Sequence, residues 1–151
     1  MGIVTHSGEM VSAMECAIDA LAQNDRKGFN TALQNLHKVS SSIVRTLQGM
    51  WRRSDAKEFT RFRTYLLGTK NQPMFPNGVI YEGVSDEPTQ FRGASGANDS
   101  IIPALDNFLQ VTSMLPVNEL TEVLMDFRTY RPEAHNQWLS DIKNKSDEYK
   151  L

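Results

Sequence analysis

Cysteine is almost missing from this chain. The one thiol, Cys16, excludes an intrachain disulfide framework and a cysteine-rich zinc site, and it suits a reducing compartment. Long apolar runs are missing as well: nothing approaches the roughly 18 to 20 residues needed to cross a bilayer, and residues 1–6 hold neither a basic nor an apolar signal region. A cytoplasmic protein with no membrane partner is therefore expected. An excess of one charge is also lacking, since 16 basic residues against 18 acidic ones leave a formal charge of −2. That balance argues against a phosphate-tracking surface and hence against a nucleic-acid partner. The cluster Trp51-Arg52-Arg53 with Lys57, Arg61 and Arg63 is too short to change this reading. Histidine occurs three times, as His6, His37 and His135, never at metal-ligand spacing such as His-Glu-x-x-His, so no metal site is expected from local sequence.

What is present is an ordinary globular mixture, 40% hydrophobic and 23% charged over 151 residues, which makes one domain or part of one. Met10, Met14, Ala17, Ile18 and Leu21 form one helical stripe from residue 9 onward, ended at Asn24-Asp25. Phe29, Leu33, Leu36, Val39, Ile43, Leu47 and Met50 repeat every three or four residues without proline and predict a longer second helix whose stripe needs a neighbour. Asp55 with Glu58 is a capping pair for a third helix over 55–67, with Gly68 expected as its left-handed stop.

Residues 68–100 then turn to glycine, proline, asparagine and aspartate, with only Val79-Ile80-Tyr81 suggesting extended structure. A connection this long usually belongs to binding or catalysis. Asp99 or Ser100 can cap a helix reaching about Leu115, with Pro103 in its first turn, and Pro116 ends it. Asn118 opens a helix bearing Leu120, Val123, Leu124 and Phe127. Pro132 opens the last, with His135, Trp138, Leu139 and Ile142 on one face and a fraying polar tail over 143–151.

Arg63 is the most informative single residue, because Phe59, Phe62 and Leu66 place it within the third helix's apolar stripe. It is either a guanidinium that snorkels or meets a structural carboxylate, or a planar donor fork that anchors a ligand carboxylate. The run from Phe91 to Ser100 puts small residues before a helix N-terminus, where backbone N–H groups can approach an anion; the plain alternative is a capping loop. It lacks the ending of a P-loop and the spacing of a dinucleotide fingerprint. Asp86, Glu87 and Asp99 read as solvated turn residues with no pairing for acid–base work. His37 and His135 sit at or on apolar faces and read as structural.

Several spaced segments together resemble the indoleamine 2,3-dioxygenase family. They are Arg63-Thr64-Tyr65-Leu66-Leu67-Gly68, similar to that family's Arg-x-aromatic-Leu-x-Gly; Gly78-Val79-Ile80-Tyr81-Glu82-Gly83-Val84-Ser85-Asp86-Glu87-Pro88; Phe91-Arg92-Gly93-Ala94-Ser95-Gly96; and Ile102-Pro103-Ala104-Leu105-Asp106. A last one, running from Met125 to His135, is similar to Met-Arg-Arg-Tyr-Met-Pro-Pro-x-His. The resemblance implies an all-α fold, the helical part of the family's large haem domain, with haem between helices and tryptophan above the iron, opened to N-formylkynurenine. It implies that Arg63 holds the substrate carboxylate and Phe59 lines the indole pocket. It also makes the segment from Gly93 through Ala94, Ser95 and Gly96 to Ala97 the loop over the substrate, with Ser95 and Gly96 near a haem propionate and the substrate amino group. No catalytic residue of the protein itself is assigned.

Two departures from the family shape the expectation. Full members are more than twice as long, with a small N-terminal domain and a helix carrying the proximal histidine, so residues 1–151 are expected to be a partial haem-dioxygenase-like domain that does not bind haem tightly alone. Glu58 stands where the family commonly has a second aromatic. The expected function is an incomplete member of this dioxygenase family acting on a tryptophan-like molecule. The alternative is a haem-free helical module for binding or scaffolding. Uncovered faces at Phe59, Phe62, Trp138 and Ile142 point to self-association or a complementing chain.

Overall fold

The computed structural model describes residues 2–150, apart from the side chain of Thr64. Six α-helices carry the fold: α1 (Ser7–Ala22), α2 (Arg26–Arg53), α3 (Ala56–Arg63), α4 (Ile101–Phe108), α5 (Glu119–Arg128) and α6 (Glu133–Tyr149). Short 3₁₀ turns flank them at Val4–His6, Thr64–Leu66, Gly96–Asn98 and Val111–Met114. The described residues contain no strand, only an isolated antiparallel bridge between Val79 and Thr89 inside the long loop. The fold is all-α, as the periodicity predicts.

α1 and α2 form an antiparallel hairpin because the chain reverses within three residues. Asn24 takes a left-handed conformation (φ 54°), and the Asp25 carboxylate accepts the Gly28 N–H at 2.9 Å, capping α2. The facing stripes supply Met10, Ala13, Met14, Ala17 and Ile18 from α1, and Ala32, Leu36, Val39 and Ile43 from α2. α4 and α6 close this core with Ile101, Ala104 and Phe108, and with Leu139 and Ile142. Neither α3 nor α5 contributes a buried residue.

The stripe of α2 is only partly covered. At 1.5 Å per residue, the 28 residues of α2 span about 42 Å, against about 24 Å for the 16 residues of α1. The Val4–His6 turn extends the cover by one step, and beyond it Leu47, Met50 and Trp51 are exposed. α3 continues this uncovered region, with Phe59 at 55% and Phe62 at 65% exposure. Of the four residues expected to lie open, Ile142 is instead buried, and Trp138 packs against the core with its indole N–H donating to Glu15 at 3.2 Å.

Three boundaries differ from expectation for local reasons. α4 stops at Phe108 rather than near Leu115, because Gln110 turns left-handed (φ 58°) and its side-chain amide donates to the Ser146 carbonyl on α6 at 2.8 Å. Asn107 makes a parallel tie to the Leu139 carbonyl at 3.0 Å. α6 does not fray at 143 but runs to Tyr149, with Ser146 fully buried; the end of that expected tail, Leu151, lies outside the described residues. Gly68 is not a left-handed stop. A side chain there would collide with the Phe91 carbonyl and the Gly93 amide, and one at Gly93 would collide with the Leu66 carbonyl. The two glycines let the end of the α3 region cross the segment at 91–93, joined by the Lys70 N–H on the Phe91 carbonyl at 3.0 Å.

Phe108, 1% exposed at the junction of α4 with the hairpin and α6, should be the most costly aromatic to truncate. Phe108→Ala is expected to lower unfolding free energy by about 3–5 kcal/mol in urea titrations, and Phe62→Ala to stay within about 0.5 kcal/mol.

Candidate functional site

The segment before α4 is a rigid shelf built from polar contacts. The Asn98 side-chain carbonyl accepts the Ser95 N–H at 2.7 Å, and the Ser95 hydroxyl accepts the Ala97 N–H at 3.2 Å. Together they close the Gly96–Asn98 turn on itself. Asn98 then donates to the Phe127 carbonyl on α5 at 3.1 Å. Asp99, not Ser100, caps α4, accepting the Ile101 N–H at 2.7 Å, while Ser100 pairs its hydroxyl with Nδ1 of His135 at 2.9 Å.

Arg131 fastens this shelf from beneath. Its guanidinium donates to the carbonyls of Ala97 at 3.0 Å, Asn98 at 3.2 Å and Asp99 at 3.1 Å, and also to that of Arg128. Burial, and then the charge of Arg128, hold the Arg131 guanidinium below its usual range, with Asp99 acting in the opposite direction. Its neighbour Arg128 meets Asp106 in an ion pair at 2.5 Å. The shelf thus presents Ala94 and Gly96 outward and keeps Gly93 and Ser95 half-buried.

Beside the shelf lies a cleft of about 120 Å³ lined by Arg63, Leu66, Leu67, Gly68, Lys70, Gln72, Arg92, Gly93 and Phe127. One Asp126 oxygen accepts from Lys70 Nζ at 2.7 Å and from Arg92 Nε. The Arg92 guanidinium also lies 5.5 Å from the centre of the Phe127 ring, and its backbone N–H donates to the Tyr130 hydroxyl at 3.3 Å. Hydrogen bonds from Lys70 first and Arg92 second hold the Asp126 carboxyl below its ordinary 3.8. Arg63 is exposed and has no ion-pair partner among the described residues.

Of the residues singled out by sequence, the structure brings Arg63 and Gly93 to this cleft. Phe59, Ala94, Ser95 and Gly96 do not line it. Nor does α3 bury the stripe in which Arg63 was expected to need a partner, because Phe59, Phe62 and Leu66 are all exposed. Lys70, Arg92, Asp126 and Arg131 escaped sequence reasoning. Their contacts join positions 56, 34 and about 33 residues apart, for which no local spacing exists. A second, wider cavity of about 490 Å³ runs between Val4, Val11, Ile101, Pro132, His135 and Trp138. Among the described residues, no group of three or more His, Cys, Asp or Glu side chains could hold a metal ion.

Two outcomes follow from this bracing. Arg131→Leu should leave three loop carbonyls without their donor, lowering stability by about 2 kcal/mol and speeding amide hydrogen exchange over residues 95–99 far more than in α1. The folded pKa of Asp126 is the lower one, so its stabilisation is complete above about pH 4 and disappears as pH falls through the folded value. In acid titrations followed by near-UV circular dichroism, Asp126→Asn is expected to remove that acid limb and leave the neutral range flat.

Residues 2–149 match the family model for indoleamine 2,3-dioxygenase. The chain is 32% identical over 133 residues to indoleamine 2,3-dioxygenase 2 of Homo sapiens, covering 87% of this chain and 32% of that protein. To indoleamine 2,3-dioxygenase 1 of Rattus norvegicus it is 30% identical over 138 residues, 89% of this chain and 33% of the relative. A myoglobin of Haliotis madaka is 27% identical over 139 residues, 91% of this chain and 36% of the relative. The chain spans about a third of the length of these curated relatives. With the shelf and the cleft falling inside the matched region, the chain belongs to the indoleamine 2,3-dioxygenase family.

Proposed function

We propose that this chain forms the substrate-facing wall of a haem dioxygenase acting on tryptophan or a close analogue. The observation that carries the reading is the placement of Arg63, without an ion-pair partner among the described residues, across a small cleft from Gly93 and beside Leu66 and Phe127. A guanidinium fork beside apolar walls suits a carboxylate on an apolar body, because the pair orients the ligand while the walls desolvate it. At about 120 Å³ the cleft takes the charged end of such a ligand, and the ring would rest against the exposed Phe59 side of α3. The shelf at 93–96 then limits water access, and its bracing by Arg131 keeps it in place without ligand.

Bound haem would supply the oxygen chemistry that opens the indole ring. The residues present fit only part of that group. Exposed Phe59, Phe62, Leu66 and Leu67 and the small residues of the shelf suit a flat apolar face. His135, by contrast, spends Nδ1 on Ser100 and lines the other cavity. We therefore assign the iron ligand to a segment or chain outside the described residues, which would also cover the apolar surface from Leu47 to Leu67. A reducing, cytoplasmic setting fits the exposed single thiol Cys16.

One observation favours the alternative, a haem-free binding module: α1, α2, α4 and α6 close a core to which α3 contributes nothing. A relative named myoglobin also stands among the dioxygenases, so ligand chemistry and not kinship must decide. In equilibrium titrations of a haem-loaded form complemented by the segment that carries the iron ligand, Arg63→Ala is expected to weaken L-tryptophan binding by about 1.5–3 kcal/mol, the range for hydrogen bonds to charged groups. Tryptamine, which lacks the carboxylate, should lose far less. Arg61→Ala, whose side chain is exposed and paired with Glu58 at 3.2 Å, should behave as the parent. Equal losses for both ligands would make Arg63 a support of the fold and remove the anchor assignment.

A further inference from the structure

The cleft beside the shelf holds more positive charge than one carboxylate can neutralise. Among the described residues, Arg63, Lys70 and Arg92 line it, no carboxylate does, and the one carboxylate in contact with any of these cations, Asp126, is shared by Lys70 and Arg92. Two positive charges are left over. Arg92 is also held as a donor for something else. Asp126 takes its Nε, Phe127 lies against its face, and its side chain is only 19% exposed. Its two outer nitrogens make no hydrogen bond among the described residues. A guanidinium clamped in this way has lost its rotational freedom before any ligand arrives and offers two parallel N–H groups, the geometry that oxyanions accept. The crossing at Gly68 and Gly93 brings the backbone up to the same cleft, so no side chain closes it.

We propose that this cleft is a seat for a compact oxyanion carrying two negative charges, a phosphate group free or as a monoester, gripped by the outer nitrogens of Arg92 with Lys70 and Arg63 completing the charge. The dianion neutralises the cleft, whereas a lone carboxylate leaves it positive. About 120 Å³ suits such a group and excludes a whole drug-sized ligand, whose pockets run to about 300–1,000 Å³. Asp126 acts as a positioning residue here: it offsets one positive charge and aims Lys70 and Arg92. The proposal does not depend on haem; it shares the cleft and Arg63 with the tryptophan reading, so the two ligands would compete, but its test reads phosphate through Arg92, whereas the tryptophan reading is tested through Arg63 and a carboxylate.

The test is a ¹H–¹⁵N NMR titration of the full chain at constant ionic strength and pH 8, with inorganic phosphate, phenyl phosphate and acetate as probes. Phosphate should shift the Gly68, Lys70 and Gly93 amides saturably, and acetate should bind about tenfold more weakly, since it forgoes one charge-assisted contact. Phenyl phosphate binding as well as phosphate identifies a monoester seat; phosphate alone binding identifies a free-anion seat. Arg92→Gln should weaken phosphate about tenfold, while Arg61→Gln leaves it unchanged. If Arg92→Gln does not fold by circular dichroism, Lys70→Gln carries the same expectation. Equal affinity for acetate and phosphate, undiminished binding in the folded variant, or shifts confined to other surfaces would overturn the proposal.

Discussion

Much of what makes this chain more than a helical core rests on one guanidinium. Arg131 lies just after α5, and its fork reaches three successive carbonyls of the turn that precedes α4. Consecutive carbonyls pointing the same way repel one another and would need water if left alone; a single planar cation answers all of them at once. The cost is a partly desolvated charge, visible in the direction of its pKa shift. The return is that the turn, the start of α4 and the end of α5 are held as one piece. The side-chain ring of hydrogen bonds through Ser95 and Asn98 depends on that arrangement, as does the approach of Ser100 to His135.

The molecule is consequently held together by two kinds of force in two places. α1, α2, α4 and α6 share an apolar core, whose contribution scales with area removed from water. The shelf and α5 contribute little buried apolar surface and are tied by ion pairs and hydrogen bonds, several of them half-exposed, whereas the side-chain hydrogen bonds of α3 stay within the helix and its Asp55 cap. Exposed ion pairs contribute modestly, and charge-assisted bonds to backbone contribute more. Local opening at the cleft is thus expected to be easier than global unfolding, a usual condition for a surface that admits a ligand.

How much of this was legible beforehand follows from the range of each contact. The stripes of α1 and α2, the Asn24-Asp25 break, the Asn118 cap and the Pro132 start all depend on neighbours within a few positions, and each appears where the spacing puts it. The end of α4 does not, because it is decided by Asn107 and Gln110 reaching α6. The resemblance of the segment from Met125 to His135 pointed to the right region of the chain without disclosing its role, since the partners of Asp126 and Arg131 lie more than thirty residues away. Gly68 was legible as a special position but for the wrong reason: in sequence a glycine that admits a crossing chain looks the same as one that reverses a helix.

That crossing has a consequence for how this family member can diverge. Part of the cleft's lining is main chain from two segments in mutual contact at Gly68 and Gly93, where peptide geometry and not a side chain sets the shape. Adding even a methyl group at either glycine would force the segments apart. Variation in what the cleft accepts is therefore confined to its walls, where Arg63, Lys70, Gln72 and Arg92 project from backbone that need not move. Selectivity here can change by altering charge and reach at the rim, while the shape beneath stays inherited.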